Sequence, residues 1–357
     1  MESKNILIMA GGTGGHIFPA LAVAQTLQQR GHHIVWLGSK NGMEERLVPQ
    51  HNITLETVVM KGLRGNGIKR KLEMPLMLYK AIRDAKKIIQ KHHIQLVIGF
   101  GGFITMPGGL AAKLAGTPIV IHEQNAVVGL SNKILSKFAK RILFAFTQAF
   151  PNELRENWVG NPVRQDITTL PEPQYRFDNR QGKLNITVVG GSLGASIFNE
   201  LLPQALSVLP EPQRPNITHQ TGRGNLEHVQ QLYAKRNINN IHCVEFIDDM
   251  TAVYRDSDIL ICRAGALTIA ELEAAGLGAL LVPLPHAVDD HQTANARSFV
   301  NAQAGLLLPQ AQLNAENLAK TIANLTREHC LRWAMNARAQ AMPNSAEKFA
   351  NIVEQLL

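Results

Sequence analysis

Residues 5–21 read NILIMAGGTGGHIFPAL, and residues 185–202 read NITVVGGSLGASIFNELL. Each is an apolar run, then a glycine-rich turn, then the opening of an apolar helical segment. Around both copies the pattern continues: HIVWLG (33–38), IQLVIGF (94–100), TPIVIHE (117–123) and KRILFAF (140–146) follow the first. NITHQTG (216–222), IHCVEF (241–246), DILICRA (258–264) and GALLVPL (278–284) follow the second. Strands that are apolar almost end to end, with amphipathic stretches between them, belong to parallel sheets covered on both faces. The repeat therefore predicts an α/β chain of two doubly wound, Rossmann-like domains. Between them, residues 159–183 (VGNPVRQDITTLPEPQYRFDNRQGK) are polar and proline-rich, as a linker should be. The boundary falls near Gly160–Arg164, giving domains 1–162 and 163–340. Ligands of open α/β sheets bind outside the carboxyl ends of the strands, so two such domains facing a cleft would both open into it.

Composition narrows the partners. The 357 residues suit two domains better than one core, and 45% hydrophobic with 18% charged residues describes a globular chain. A net charge of +8 and a pI near 9.5 point to an anionic partner: nucleic acid, an acidic membrane surface or a phosphorylated substrate. Aromatic residues are only 5%, without basic–aromatic interleaving, which argues against nucleic acid. No run approaches the ~20 apolar residues of a membrane span, and the N-terminus lacks the pattern of a signal peptide. Cys243, Cys262 and Cys330 have no metal-like spacing and read as buried, reduced thiols of a cytosolic protein.

Three glycine loops follow strands: Gly11–Gly15, Gly99–Phe103 (GFGGF) and Gly190–Ala195 (GGSLGA). Glycine lets a chain turn tightly and brings backbone N–H groups against an anion, and a following helix N-terminus adds positive potential. A strand-to-helix turn also uses glycine for steric reasons alone, so each loop by itself leaves both readings open. A dinucleotide fingerprint is excluded. Ile17 stands where the third glycine belongs, and the second strand ends in Ser39 and Lys40 rather than an acidic residue. No GxxxxGK[ST] loop occurs either. The stretch CRAGALTIAELEAAGLGALLVPLP (262–285) follows a strand and opens a helix at Gly265, Ala266 and Leu267. Glu271 on that helix could accept both hydroxyls of a ribose, or could be an ordinary solvated helix residue.

These residues closely resemble the MurG family of bacterial N-acetylglucosaminyltransferases. GGTGGHIFPALAVA, GFGGF with PGGLAA, HEQNAVVGLSNK, GNPVR, GGSLGA, RAGALTIAE and DDHQTANA occur in the family's order along nearly the whole chain. The chain departs from common family residues at Ala264, Gly278, Phe103 and His291. The resemblance implies a GT-B fold and inverting transfer of N-acetylglucosamine from UDP-GlcNAc to the 4-hydroxyl of lipid I, giving lipid II in peptidoglycan synthesis. Lipid I is undecaprenyl-pyrophosphoryl-N-acetylmuramoyl-pentapeptide. The donor would lie mainly on the C-terminal domain. Ser192 would meet its pyrophosphate, Arg164 would lie close by, and Ile247 would present its backbone to the uracil. Ala266, Leu267, Thr268, Ile269 and Ala270 would frame the helix start, Glu271 would hold the ribose, and Gln292 would contact the sugar. Thr13, Gly14, Gly15 and Asn125 would reach the sugar from the N-terminal domain. Gly12, Gly101 and Gly102 would be placed for the acceptor pyrophosphate, and a C-terminal helix, about 341–357, would pack back on that domain. Two readings compete: a UDP-GlcNAc 2-epimerase of the same architecture, and a non-catalytic nucleotide-sugar-binding protein.

The transfer needs a base for the acceptor hydroxyl and stabilisation of departing UDP. His16 is the first candidate base because imidazole titrates near pH ~6.5; His122 and Glu123, at a strand end, are the second. Asp256-Ser257-Asp258 has the Asp-x-Asp form of a metal-binding motif but precedes a strand, so no metal and no cofactor are expected. The acceptor's lipid tail implies a membrane partner. In residues 68–91, Leu78, Ile82, Ala85 and Ile89 form a stripe for the core, with Lys80, Arg83, Lys87 and Lys91 opposite. Ahead of them Lys69, Arg70 and Lys71 adjoin Leu72, Met74, Leu76 and Met77, a combination suited to anionic lipid or to plain solvation. The implied setting is the cytoplasmic face of the inner membrane, peripherally, beside other cell-wall synthesis proteins.

Overall fold

The computed structural model describes residues 2–60, 68–191, 193–239, 241–285 and 290–357, with the backbone alone for 68–73. Two compact units emerge, one of residues 1–164 with 342–357, the other of residues 165–341.

The first unit is built on strands β1 (Asn5–Met9), β2 (His33–Ser39), β3 (Thr54–Val58), β4 (Leu96–Gly99), β5 (Ile119–Glu123) and β6 (Arg141–Phe144). They pair in parallel in the order β3-β2-β1-β4-β5-β6, with Ile6 opposite both Ile34 and Leu96. Successive side chains of β1 point to opposite faces. Ile6 and Ile8 pack with Ile17, Ala20 and Leu27 of helix α1 (Gly14–Gln29). Leu7 and Met9 pack with Ala85 and Ile89 of α2 (Ile68–Lys91) and Ala111 of α3 (Thr105–Ala115). Both faces are covered, which is why the strand is apolar throughout. A shorter helix, α4 (Leu130–Leu135), follows β5. The C-terminal helix Ser345–Glu354 returns to this unit, burying Phe349, Ala350 and Val353 against the α1 side of the sheet. Glu354 receives hydrogen bonds from Arg30 at 2.6 Å and, at 3.1 Å, pairs with His32 Nε2.

The second unit repeats the design with β7 (Asn185–Val189), β8 (Asn216–Gln220), β9 (Ile241–Val244), β10 (Ile259–Cys262), β11 (Ala279–Leu281) and β12 (Gly305–Leu307). Their order, β12-β11-β10-β7-β8-β9, is the first unit's order read from the other end. Helices α5 (Ser196–Val208), α6 (Met250–Asp256), α7 (Ala266–Ala275) and α8 (His291–Asn301) concern the site. Cys262 and Cys330 are buried and Cys243 is half-buried, so the thiols are free but not all enclosed. Burial pushes Cys262 and Cys330 up to about 12. Among the described residues no helix is long and apolar enough to cross a membrane.

Candidate active site

In the first unit the loops after β1, β4 and β5 meet at the carboxyl edge of the sheet. Gly102, with φ +82°, lies so close to the first loop that a Cβ there would stand 2.4 Å from Gly11 O. Only glycine holds that conformation and that approach together. Thr13 caps α1 with extended backbone (φ −132°) and without a side-chain hydrogen bond, and its carbonyl accepts from the amides of His16 and Ile17. His16 thus stands on the first turn of α1, half-buried, with Nδ1 3.2 Å from Gln124 Oε1.

Behind it the end of β5 is fully used. His122 is 0% exposed; its Nε2 donates to Gly160 O at 2.9 Å, and its Nδ1 lies 3.1 Å from Gln124 Nε2. Burial, with a smaller contribution from His16, holds its pKa down at about 4 despite the Gly160 bond. Glu123 accepts from the backbone and side-chain nitrogens of Asn125 at 3.0 and 3.3 Å through Oε1. Its Oε2 accepts from Gly129 N at 3.0 Å and Asn132 Nδ2 at 2.9 Å.

In the second unit the corresponding edge is organised by side chains that tie loops together. Gln220, ending β8, donates to Gly191 O at 2.8 Å and accepts from Ile247 N at 3.0 Å. It thereby fixes the glycine loop after β7 relative to the chain leaving β9. Tyr254 of α6, buried, donates from its hydroxyl to Glu271 Oε2 at 2.8 Å. Gln292 Oε1 accepts from Leu284 N at 2.8 Å, and Asn295 Nδ2 donates to Ala264 O at 3.3 Å. Neither α5, capped by Ala195, nor α7, capped by Gly265, has a side-chain cap. By contrast α6 begins on Asp249, whose side chain accepts from Ala252 N. A helix N-terminus presents positive potential to an anion.

Residues 6–144 match the model of the glycosyltransferase family 28 N-terminal domain, and residues 185–356 match that of the family's C-terminal domain. The chain belongs to glycosyltransferase family 28. A relative from Neisseria gonorrhoeae (strain NCCP11945) is 63% identical over 98% of both chains. It is named UDP-N-acetylglucosamine–N-acetylmuramyl-(pentapeptide) pyrophosphoryl-undecaprenol N-acetylglucosamine transferase. A relative of the same name from Cupriavidus metallidurans is 47% identical over 100% of this chain and 99% of its own. The crystal structure of Acinetobacter baumannii MurG superposes with a TM-score of 0.85 at 42% identity, covering 99% of each chain. Fold and family agree: two doubly wound units of the GT-B type.

The family 28 frame locates the residues singled out in the sequence. The first unit holds Gly12, Thr13, Gly14, Gly15, His16, Gly101, Gly102, Asn125 and Arg164. The second holds Ile247, Gln292 and the run from Ala266 to Glu271. Ala266 and Ile269 are buried at 6% and 0% exposure, so what they can offer a ligand is backbone. Ser192 lies outside the described residues, as do the side chains of Lys69, Arg70, Lys71 and Leu72 on α2. His122 and Glu123, the second candidate bases, are 0% and 2% exposed, and their polar atoms are hydrogen-bonded to neighbours up to 38 residues away. Asp256-Ser257-Asp258 is the turn from α6 into β10. Asp258 is buried against Arg180 at 2.7 Å and the amide of Asn185 at 2.8 Å, which commits it to the fold. Among the described residues no three His, Cys, Asp or Glu side chains cluster as metal ligands do. Sequence reading missed Gln124, Gln220 and Tyr254. The two glutamines are neutral, and Tyr254 meets Glu271 from 17 residues away on another helix, so no local pattern announces them.

Proposed function

We propose that this family 28 transferase moves N-acetylglucosamine from UDP-N-acetylglucosamine to the N-acetylmuramyl unit of lipid I, with inversion at the anomeric carbon. The observation that supports this most is the near full-length identity to transferases named for that reaction. The site chemistry agrees with it. In the reading advanced here, His16 Nε2 takes the proton of the acceptor 4-hydroxyl as that oxygen bonds to C1 of the sugar. The bond from C1 to the UDP oxygen breaks on the opposite face, turning an α-linkage into a β-linkage. The negative charge left on UDP is met by the positive N-terminal end of α7 and the glycine loop before α5. Glu271, oriented by Tyr254, receives the ribose hydroxyls, and Ile247 offers its backbone to the base. Asn125, anchored on Glu123, contacts the sugar, while Gly12, Gly101 and Gly102 receive the acceptor pyrophosphate.

The acceptor's lipid tail brings the enzyme to a membrane surface, and α2 supplies the face proposed for it. Ala85 and Ile89 are buried and Leu78 and Ile82 pack beside them, so the opposite side is left to solvent. There Leu76 and Tyr79 are 59% and 64% exposed beside Lys80. Exposed apolar and aromatic groups beside lysines suit insertion into the headgroup region of anionic lipid. Vesicle co-sedimentation should rise with anionic lipid, fall with salt, and drop on charge reversal at Lys69, Arg70 and Lys71; charge-insensitive binding would refute this face.

The reaction itself is tested with labelled UDP-N-acetylglucosamine, with and without a lipid I analogue. UDP release that requires the acceptor is the expected result. Release or conversion without acceptor would indicate an epimerase, and binding without turnover a non-catalytic protein; either would overturn the proposal. A His16→Ala variant that kept kcat at saturating acceptor and raised only KM would remove His16 as the base.

A further inference from the structure

A chain of hydrogen bonds runs from the backbone at Gly160 to the imidazole of His16, and its direction is fixed at one end. A carbonyl only accepts, so the 2.9 Å contact with Gly160 O places the proton of His122 on Nε2 and leaves Nδ1 as an acceptor. Gln124 must then turn its NH2 toward His122 Nδ1, 3.1 Å away, which points its carbonyl oxygen at His16. That oxygen also only accepts, so His16 carries its proton on Nδ1, and Nε2 is left as the basic nitrogen.

We propose that Gly160 O, His122 and Gln124 form a polarised relay that sets the tautomer of His16, making His122 and Gln124 positioning residues for the proton transfer. A free histidine side chain in water favours the other tautomer, with the proton on Nε2. Left to itself, the imidazole would present the wrong nitrogen to an incoming hydroxyl.

Four features of the first unit support the relay. His122 stays neutral near pH 7, because burial holds its pKa at about 4. A doubly protonated ring would donate from Nδ1 and force Gln124 to flip. The His122 ring packs in a three-ring cluster with Phe100, centroids 5.4 Å apart, and Phe349 of the C-terminal helix, 5.6 Å away and edge-on, the two phenyl rings stacking on each other at 5.2 Å. Gly101 keeps the other end clear, since a Cβ there would stand 3.1 Å from His16 Nδ1 and 3.5 Å from Gln124 Oε1. The anchor is equally constrained: a Cβ on Gly160 would lie 2.8 Å from both Met342 Sδ and Ser345 Oγ. The returning C-terminal segment thus packs against both His122 and the residue whose carbonyl starts the chain.

The catalytic consequence rests on His16 acting as the base; the tautomer does not, so the two are measured separately. The full chain with 15N-labelled histidine is recorded by long-range 1H–15N correlation above the imidazole titration range, with His16→Asn and His122→Phe used to assign the two rings. The expected spectrum shows His16 protonated at Nδ1 and His122 at Nε2. In Gln124→Leu the His16 proton should move to Nε2, and kcat should fall about 10- to 100-fold with the donor KM within about twofold. His122→Gln, which can still donate to Gly160 O and accept from Gln124, should recover the Nδ1–H form and much of kcat. His122→Phe, which keeps the packing and loses both bonds, should not. A wild-type His16 protonated at Nε2, or a Gln124→Leu variant with His16 unchanged, overturns the relay. The expected tautomer together with a fully active His16→Ala variant overturns the base reading and leaves the relay standing.

Discussion

The carboxylate of Glu123 is the test of whether the β5 loop is built as described. It is 2% exposed, and four donors converge on its two oxygens: Asn125 N and Nδ2 on one, Gly129 N and Asn132 Nδ2 on the other. Glu123→Gln keeps the shape and removes the symmetry. The amide oxygen can serve one pair of donors, but the NH2 group then faces the other pair, losing two bonds and opposing donor to donor. A hydrogen bond to a charged group contributes about 1.5–3 kcal/mol, while relief of carboxylate burial returns part of the loss, so the net cost is about 3 kcal/mol. That cost falls locally, on the segment 124–132. Hydrogen exchange followed by mass spectrometry on the full chain is the direct assay. About 3 kcal/mol corresponds to roughly 100-fold faster exchange in peptides covering that segment, with peptides from residues 165–341 unchanged. Protection within about threefold of wild type would show that the four-donor cradle does not hold the loop, and the anchoring of Asn125 would fall with it.

Tyr254→Phe removes the hydroxyl that orients Glu271 and should raise the KM for UDP-N-acetylglucosamine about tenfold with kcat little changed, in steady-state kinetics. An unchanged KM would disconnect that pair from donor binding. Gly102→Ala places a Cβ against Gly11 O at φ +82° and should cost about 2–3 kcal/mol, seen as a melting-temperature drop of roughly 5–10 °C; a drop within error would contradict the close loop packing. Burial opposes ionisation of Glu354, but the bonds from His32 and Arg30 outweigh it and its pKa is lowered. The stabilisation from this carboxylate is therefore complete above its unfolded pKa of about 4.3 and is lost as pH falls through the folded value. Glu354→Gln should weaken the C-terminal helix at neutral pH, and its acid-unfolding curve should converge with wild type at low pH. Parallel curves across that range would argue against the linkage.

How much of this the sequence could show depends on how local each signal is. The sheets were legible because a parallel strand buried on both faces writes itself as an uninterrupted apolar run. The 5–21 and 185–202 copies repeat the same strand, turn and helix. The core stripe of α2 was legible for the same reason, with Ala85 and Ile89 buried where helical spacing puts them. The strand-end chemistry of HEQN was not. Position alone aims His122 and Glu123 at a ligand, but burial is decided by Gly160, Asn132 and Phe349, which the fold brings from 38, 9 and 227 residues away. Gln124 has no charge and no motif of its own; it matters because it can donate with one end and accept with the other.

One scaffold used twice underlies the proposed division of chemistry between the units. Both sheets have the same strand order, so both place glycine loops and helix starts at a carboxyl edge. What differs is the supporting polar network. At the end of β5 that network is directional, two imidazoles joined by an amide, which suits the proton acceptor proposed at His16. In the second unit the supports are Gln220, which joins the glycine loop to Ile247 N, and Tyr254, which hydrogen-bonds the Glu271 carboxylate of α7. Such groups suit the phosphates and hydroxyls of a nucleotide. The carboxylate that resembles a metal ligand, Asp258, sits at the opposite edge, where Arg180 and Arg327 consume its charge in joining 180–183 to β10. The charges that look most reactive in the sequence are thus spent on the fold, and the proposed chemistry falls to backbone amides, one oriented carboxylate and an imidazole whose proton the proposed relay places.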